Sequence, residues 1–150
     1  MKPTVLVIDD NEATRTLMMA LLQREFQIDA ATDGREAIEK LRTNQYAAIL
    51  LDLRMPQQDG FGVLDFLKTN SPERLRTVLV VTALLTKREI DRANSFGVCG
   101  IIAKPFDVDE LLRAVKQCVG DDGGTLGNVF CSSTPVILLI ADLLRQFQPR

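Results

Sequence analysis

The sequence predicts an α/β fold: a (βα)5 doubly wound, parallel five-stranded sheet, followed by a C-terminal apolar helix. Three observations predict it. Five short apolar runs recur through residues 1–119, each followed by a segment of helical periodicity. The runs VLVI, AAILL and VLVV lack polar alternation, as strands covered on both faces do. Strands that alternate with helices need crossovers, and right-handed crossovers build a parallel sheet with helices on both faces.

In chain order, the first strand is read at 4–8 and its helix at 12–24, with Leu17, Ala20, Leu21 and Leu22 facing inward. The second strand is 27–31 with a helix at 33–42, and the third is 47–51 with a helix at 61–69. The fourth is 77–81 with a helix at 87–96, and the fifth is 100–103 with a helix at 108–119. Helix starts are marked by capping-box spacings: Asp33 with Glu36, Thr86 with Glu89, and Asp107 with Glu110. Asp59 is placed to cap the third helix in the same way.

Past Val119 the composition changes. GDDGGTLGN belongs to a linker read over 120–134. Thr134 then offers a cap, and Pro135 opens an apolar helix over 135–147 whose polar residues Asp142, Arg145 and Gln146 share one face. At 1.5 Å per residue it is about 20 Å long, short of the ~30 Å hydrocarbon core of a membrane. It is expected to pack on the domain, on a dimer mate or on a partner.

Composition narrows the function classes. The chain has 150 residues, 46% hydrophobic and 25% charged, which suits one soluble globular core. A net charge of −2 argues against a basic nucleic-acid footprint. MKPTVLVIDD reaches an acid pair too soon for a secretory leader, and the expected compartment is the cytoplasm. Cys99, Cys118 and Cys131 show no metal-finger spacing, so reduced thiols are the simplest reading. There is no histidine, which removes Ser-His-Asp and Cys-His catalysis, histidine-ligated zinc and any role as a phosphohistidine donor.

In an open parallel sheet, ligands bind outside the carboxyl ends of the strands. Those ends carry Asp9-Asp10, Asp52, Thr82-Ala83 and Lys104-Pro105. Taken singly, the acids read as caps or turn residues, Thr82 as a loop hydroxyl and Lys104 as a solvated lysine. Taken together they converge on one edge. Two carboxylates ~4 Å apart repel by roughly 4 kcal/mol at an effective dielectric near 20, so three acids need a cation. Lys104 supplies one charge, and an oxygen-rich site calls for a hard ion, Mg²⁺ with Mn²⁺ as the alternative. With charge so screened, Asp52 can act as a carboxylate nucleophile toward phosphorus. Thr82 can donate its hydroxyl to a phosphate oxygen, and Ala83 leaves room for the group. The cationic run Lys87, Arg88 and Arg92 reads as a solvated helix face.

VLVIDDNEATR, AAILLDLRMPQQDGF, VLVVTAL and GIIAKPF together resemble the receiver domain of two-component response regulators, over about residues 3–119. The resemblance implies a flavodoxin-like strand order 2-1-3-4-5 and Asp52 as phosphoacceptor. It also implies Mg²⁺ held by Asp9, Asp10, Asp52 and the backbone carbonyl of Arg54. Thr82 would be the switch hydroxyl, Lys104 the phosphate-contacting lysine and Lys104-Pro105 a cis peptide. Arg54, Ala83 and Leu84 would flank the phosphate. The implied partners are a histidine kinase or histidine phosphotransfer protein and a downstream protein, with a homodimer as a further state and no direct nucleic-acid or membrane contact. Such a chain is no conventional enzyme: it catalyses only its own phosphorylation and dephosphorylation.

Two departures stand out. Receivers usually place Tyr or Phe three residues before the lysine, and here that position is Ile101. The segment after Gly120 has no counterpart in a minimal receiver and is too short for a winged-helix output domain. Two other readings compete. Asp10-x-Glu12-x-Thr14 superficially resembles the signature of haloacid-dehalogenase-type Mg²⁺ phosphatases, with Glu12 in place of the second Asp. An interaction or dimerisation module with a vestigial switch would fit Ile101 and the added helix. Deleting residues 121–150 is expected to change oligomeric state or solubility while leaving phosphorylation intact, as read by light scattering and a phosphorylation assay on both chains.

Overall fold

The computed structural model describes residues 2–55, 59–83 and 86–120; the linker read beyond 120, the helix read over 135–147 and Cys131 lie outside them. The elements run β1 (Thr4–Ile8), α1 (Glu12–Leu22), β2 (Gln27–Ala31), α2 (Gly34–Thr43), β3 (Ala48–Leu51) and α3 (Gly60–Asn70). A 3-10 turn over Pro72–Thr77 leads into β4 (Val78–Thr82), α4 (Lys87–Ser95), β5 (Gly100–Ala103) and α5 (Val108–Val119). All strand pairs are parallel, in the order β2-β1-β3-β4-β5 that the resemblance implied.

The unalternating strands are buried on both faces, each face feeding its own core. Leu6, Ile8, Ile49, Leu51 and Val80 point to the side covered by α2, α3 and α4. Val5, Val7, Leu50, Leu79 and Val81 point to the side covered by α1 and α5. Successive side chains along one strand therefore serve opposite cores, the period of two that a pleated strand imposes. Register then aligns the strand ends: Ile8 opposes Leu51, Leu51 opposes Val80, and Thr82 opposes Ala103. The residues that follow are carried to one carboxyl edge.

Helix termini follow the expected chemistry. Asn11, Asp33, Asp59 and Asp107 accept hydrogen bonds from the first-turn amides of their helices, and Thr86 with Glu89 forms a full capping box. Gly120 ends α5 at φ 82°, a left-handed backbone that glycine adopts without steric cost.

Four expectations are corrected. In α1, Met18 and Leu22 are buried whereas Leu17 is 50% exposed and Ala20 is exposed. Residues four apart stack on one helix face: Leu22 and, partly buried against the core, Leu21 face inward as read, while Met18 takes the place read for Leu17. That helix also stops at Leu22, not residue 24, where Gln23 takes the C-cap position. Strand β4 begins at Val78, not residue 77, because Pro72 opens a 3-10 turn that uses Thr77: its hydroxyl donates to the Arg74 carbonyl at 2.7 Å. Lastly, Cys99 and Cys118 are joined as a disulfide, with Cα atoms 5.9 Å apart. No short motif announces a pair separated by 19 residues; the β5–α5 crossover brings it together.

A polar cluster holds the edge of the sheet away from the acids. Asp29 on β2 accepts hydrogen bonds from Lys40 Nζ and Tyr46 Oη, each at 2.6 Å. Burial by itself raises the Asp29 carboxyl, but these donors outweigh it and hold it below the usual carboxylate range. Arg74, 9% exposed, donates through Nη1 to the Leu41 carbonyl at 2.8 Å and through Nη2 to the Asn44 carbonyl at 3.0 Å. It thereby satisfies the carboxyl end of α2, whose last carbonyls have no partner within the helix. Arg74→Ala is expected to lower the unfolding free energy by about 1.5–3 kcal/mol in urea denaturation, whereas the exposed Arg76→Ala should change it by less than about 0.5 kcal/mol.

Candidate functional site

Each acid is delivered by a strand end. Asp9 follows β1, is fully buried, and its Oδ1 accepts the Asn11 amide at 2.9 Å. Its backbone is fixed twice, by its own amide donating to the Ala31 carbonyl at 3.2 Å and by Arg15 Nη1 donating to its carbonyl at 2.9 Å. Asp10, next in the chain, is exposed. Asp52 follows β3, is 6% exposed, and its amide donates to the Ile8 carbonyl at 3.0 Å.

The Asp52 carboxylate is held by three donors. Oδ1 accepts from Thr82 Oγ1 at 2.9 Å and from the Arg54 amide at 3.0 Å, while Oδ2 faces Lys104 Nζ at 3.3 Å. Lys104 Nζ also donates to Asp9 Oδ2 at 2.6 Å, so one ammonium bridges two buried carboxylates. The Lys104 amide donates to the Thr82 carbonyl at 2.9 Å, and the peptide that follows, Lys104-Pro105, is cis. No buried side-chain polar atom among the described residues lacks a partner.

Carboxylate oxygens of Asp9, Asp10 and Asp52 all lie within 4.8 Å of one another. One lysine against three acids leaves a net negative site of oxygen donors. Such a donor set suits a small hard divalent cation that keeps some of its waters.

The expected residues thus meet at one place, with some differences. Thr82 ends β4 inside the sheet, and its hydroxyl engages Asp52 itself. Arg54 reaches Asp52 through its amide, while its guanidinium Nη2 donates to both Glu89 carboxylate oxygens at 3.2 Å. Ala83 follows β4 partly buried, and Leu84 lies outside the described residues. Ile101, 3% exposed, packs in the core cluster under α2, α3 and α4, apart from the polar network.

Two residues at the site escape a motif-level reading. Gly60 opens α3 against the chain that leaves Asp52: a Cβ there would lie 2.4 Å from the Asp52 carbonyl oxygen and 2.7 Å from Leu53 Cα. Its amide donates to the Leu53 carbonyl at 3.1 Å, so the approach is hydrogen-bonded. Only its adjacency to the Asp59 cap hints at this. Glu89 is visible as a capping residue, but not as the partner of Arg54, 35 positions away. The Thr86 amide holds the Glu89 carboxyl below its usual range against a smaller effect of burial, and the Thr86 hydroxyl and Arg54 add to it.

Residues 5–116 match the family described as the response regulator receiver domain. A probable chemotaxis protein CheY of Rhizobium etli is 30% identical over 121 residues, 79% of this chain and 94% of that protein. The transcriptional regulatory protein SrrA of Staphylococcus aureus is 35% identical over 119 residues; the match takes in 77% of this chain and about half of that longer protein, 47%. Among solved structures, the receiver domain of a sensor histidine kinase from Pseudomonas aeruginosa, described with a magnesium ion coordinated in its active-site cleft, superposes with a TM-score of 0.72 at 25% identity. That superposition covers 81% of this chain and 100% of the other.

The close approach at Gly60 makes a substitution there costly at the site itself. Gly60→Ala is expected to reduce unfolding free energy by about 1–3 kcal/mol and to weaken Mg²⁺ binding, measured by denaturation and by calorimetric titration of the metal.

Proposed function

The chain belongs to the response regulator receiver family, and from that premise we propose that it is a phosphorylation-activated switch whose phosphoacceptor is Asp52. The donor is a phosphohistidine on a histidine kinase or a histidine phosphotransfer protein. The observation that carries this reading is the Asp52 carboxylate: buried at a rigid strand end, with Oδ1 occupied by Thr82 and Arg54 and Oδ2 turned toward Lys104. A carboxylate so placed can attack phosphorus while remaining aligned.

In the transfer, a bond forms between an Asp52 oxygen and phosphorus as the bond from phosphorus to the donor histidine nitrogen breaks. The electron pair of that bond leaves with the imidazole, and the product is an acyl phosphate. Such a reaction depends mainly on positioning and charge stabilisation. Asp9, Asp10, Asp52 and the Arg54 carbonyl would hold Mg²⁺, which when bound neutralises charge on the phosphoryl oxygens. Lys104 then exchanges its contact with Asp52 for a phosphoryl oxygen and keeps Asp9 as its anchor. The Thr82 hydroxyl rotates its donation from Oδ1 to the phosphoryl, beside Ala83, which adds no bulk. Attack of water on phosphorus returns the carboxylate and inorganic phosphate.

The change of charge at Asp52 passes to a downstream protein by contact. The segment 121–150, with the helix read over 135–147, belongs to this output in our reading, on the domain, a homodimer mate or a partner. No helix among the described residues is long and apolar enough to cross a membrane, and the proposed setting is the cytoplasm, without nucleic-acid contact.

Incubation with acetyl phosphate and Mg²⁺ should add one phosphoryl mass to the wild-type chain. Asp52→Asn should add none, Lys104→Ala much less, and chelation of the metal should abolish the gain. Label found on Asp10, as a dehalogenase-type phosphatase would require, or no gain in the wild type, would overturn the proposal.

A further inference from the structure

Arg54 is rooted at the phosphoacceptor and attached to a helix. Its amide donates to Asp52 Oδ1 at 3.0 Å, and its guanidinium donates to both oxygens of Glu89, the third residue of α4. The same Glu89 closes the α4 capping box. Its Oε2 accepts from the Thr86 amide at 2.8 Å and the Thr86 hydroxyl at 2.9 Å, and its own amide donates to Thr86 Oγ1 at 3.2 Å. One carboxylate therefore orders the first turn of α4 and tethers it to the residue two places after Asp52.

We propose that Glu89 and a phosphoryl group on Asp52 compete for the Arg54 guanidinium, so that phosphorylation is read at α4 as the loss of its tether. The inference rests on the reading of Asp52 as phosphoacceptor and names the regulation of that site.

The balance of the two states favours such an exchange. In the unphosphorylated chain the Arg54 guanidinium pairs with the carboxylate of Glu89, through side chains 53% and 30% exposed. Pairs this exposed are weak and readily given up. A phosphoryl group brings roughly two negative charges and three acceptor oxygens. It suits the planar fork of arginine at least as well as a carboxylate does. Because the Arg54 backbone is hydrogen-bonded to the phosphorylated side chain, the guanidinium changes partner by rotating its own side chain. The carboxylate left behind keeps its Thr86 donors, so α4 retains its cap while losing its hold on the loop after β3.

Other routes from Asp52 to α4 are poorer in charge. Thr82 is neutral, and Ile101 is a buried aliphatic side chain with no group that responds to a charge. An ordinary surface ion pair would be indifferent to the state of Asp52. Competition makes a signed, non-additive prediction instead.

The test is a cycle of full-length wild type, Glu89→Gln, Arg54→Gln and the double variant, each titrated with beryllofluoride in Mg²⁺ and followed by fluorine NMR. Glutamine at 89 keeps an oxygen for the Thr86 donors but removes the charge. Glu89→Gln should bind the mimic about twofold to fivefold more tightly than wild type, and Arg54→Gln more weakly. In the Arg54→Gln background, Glu89→Gln should change nothing; any effect of a weakened cap would persist there, which separates capping from competition. Hydrogen exchange should show the mimic raising exchange in α4 of the wild type, and Glu89→Gln already raised without it. If Glu89→Gln binds no more tightly than wild type, or tightens equally without Arg54, competition is overturned. If wild type fails to bind the mimic at Asp52, the phosphoacceptor reading falls and competition falls with it.

Discussion

The ammonium of Lys104, shared between Asp9 and Asp52, is the interaction on which the rest of the site depends. Both carboxylates are buried, and unscreened they would repel by several kcal/mol at any spacing that lets them cooperate. A cation between them turns a destabilising pair into a preorganised one, at 2.6 Å and 3.3 Å. Lys104 can hold that position because β5 lies beside β4 and the chain turns at Pro105. The ammonium thus follows the last strand in the sequence, 95 residues from Asp9.

The rigidity of the site comes from the two cores beneath it. Strands without polar alternation need helices on both faces, and those helices fix the height at which each strand stops. Asp9, Asp52 and Thr82 are buried polar groups because they stand on the rim of that apolar sheet, and each is satisfied by a neighbour. Burial without partners would cost more than a site of this kind returns in stability. On the opposite edge, the Asp29–Lys40–Tyr46 group and Arg74 perform a structural task with similar chemistry. Ionisable clusters at both ends of one sheet show that composition alone does not separate a site from a brace.

Much of this was legible in the residues. The strands, the helix N-caps and the convergence of Asp9, Asp10, Asp52, Thr82 and Lys104 follow from apolar runs, spacing and a rule about strand ends. Errors occurred where a period is ambiguous or a contact is distant. The apolar string from Leu17 to Leu22 in α1 supports more than one helical phase, and only packing on the sheet selects Met18. The 3-10 turn before β4 depends on a buried Arg74 that no local pattern marks. The Cys99–Cys118 disulfide and the Arg54–Glu89 pair join residues 19 and 35 positions apart, beyond any motif.

By itself the sequence determined the order of elements, their caps and the identity of the chemical groups at the sheet edge, because periodicity and capping are local properties of the chain. Tertiary structure alone decided which oxygen of Asp52 meets which donor, why residue 60 has no side chain, and that Arg54 ends on α4. Those are distances between segments, and distances are set by how two cores pack, which no single stretch of residues encodes.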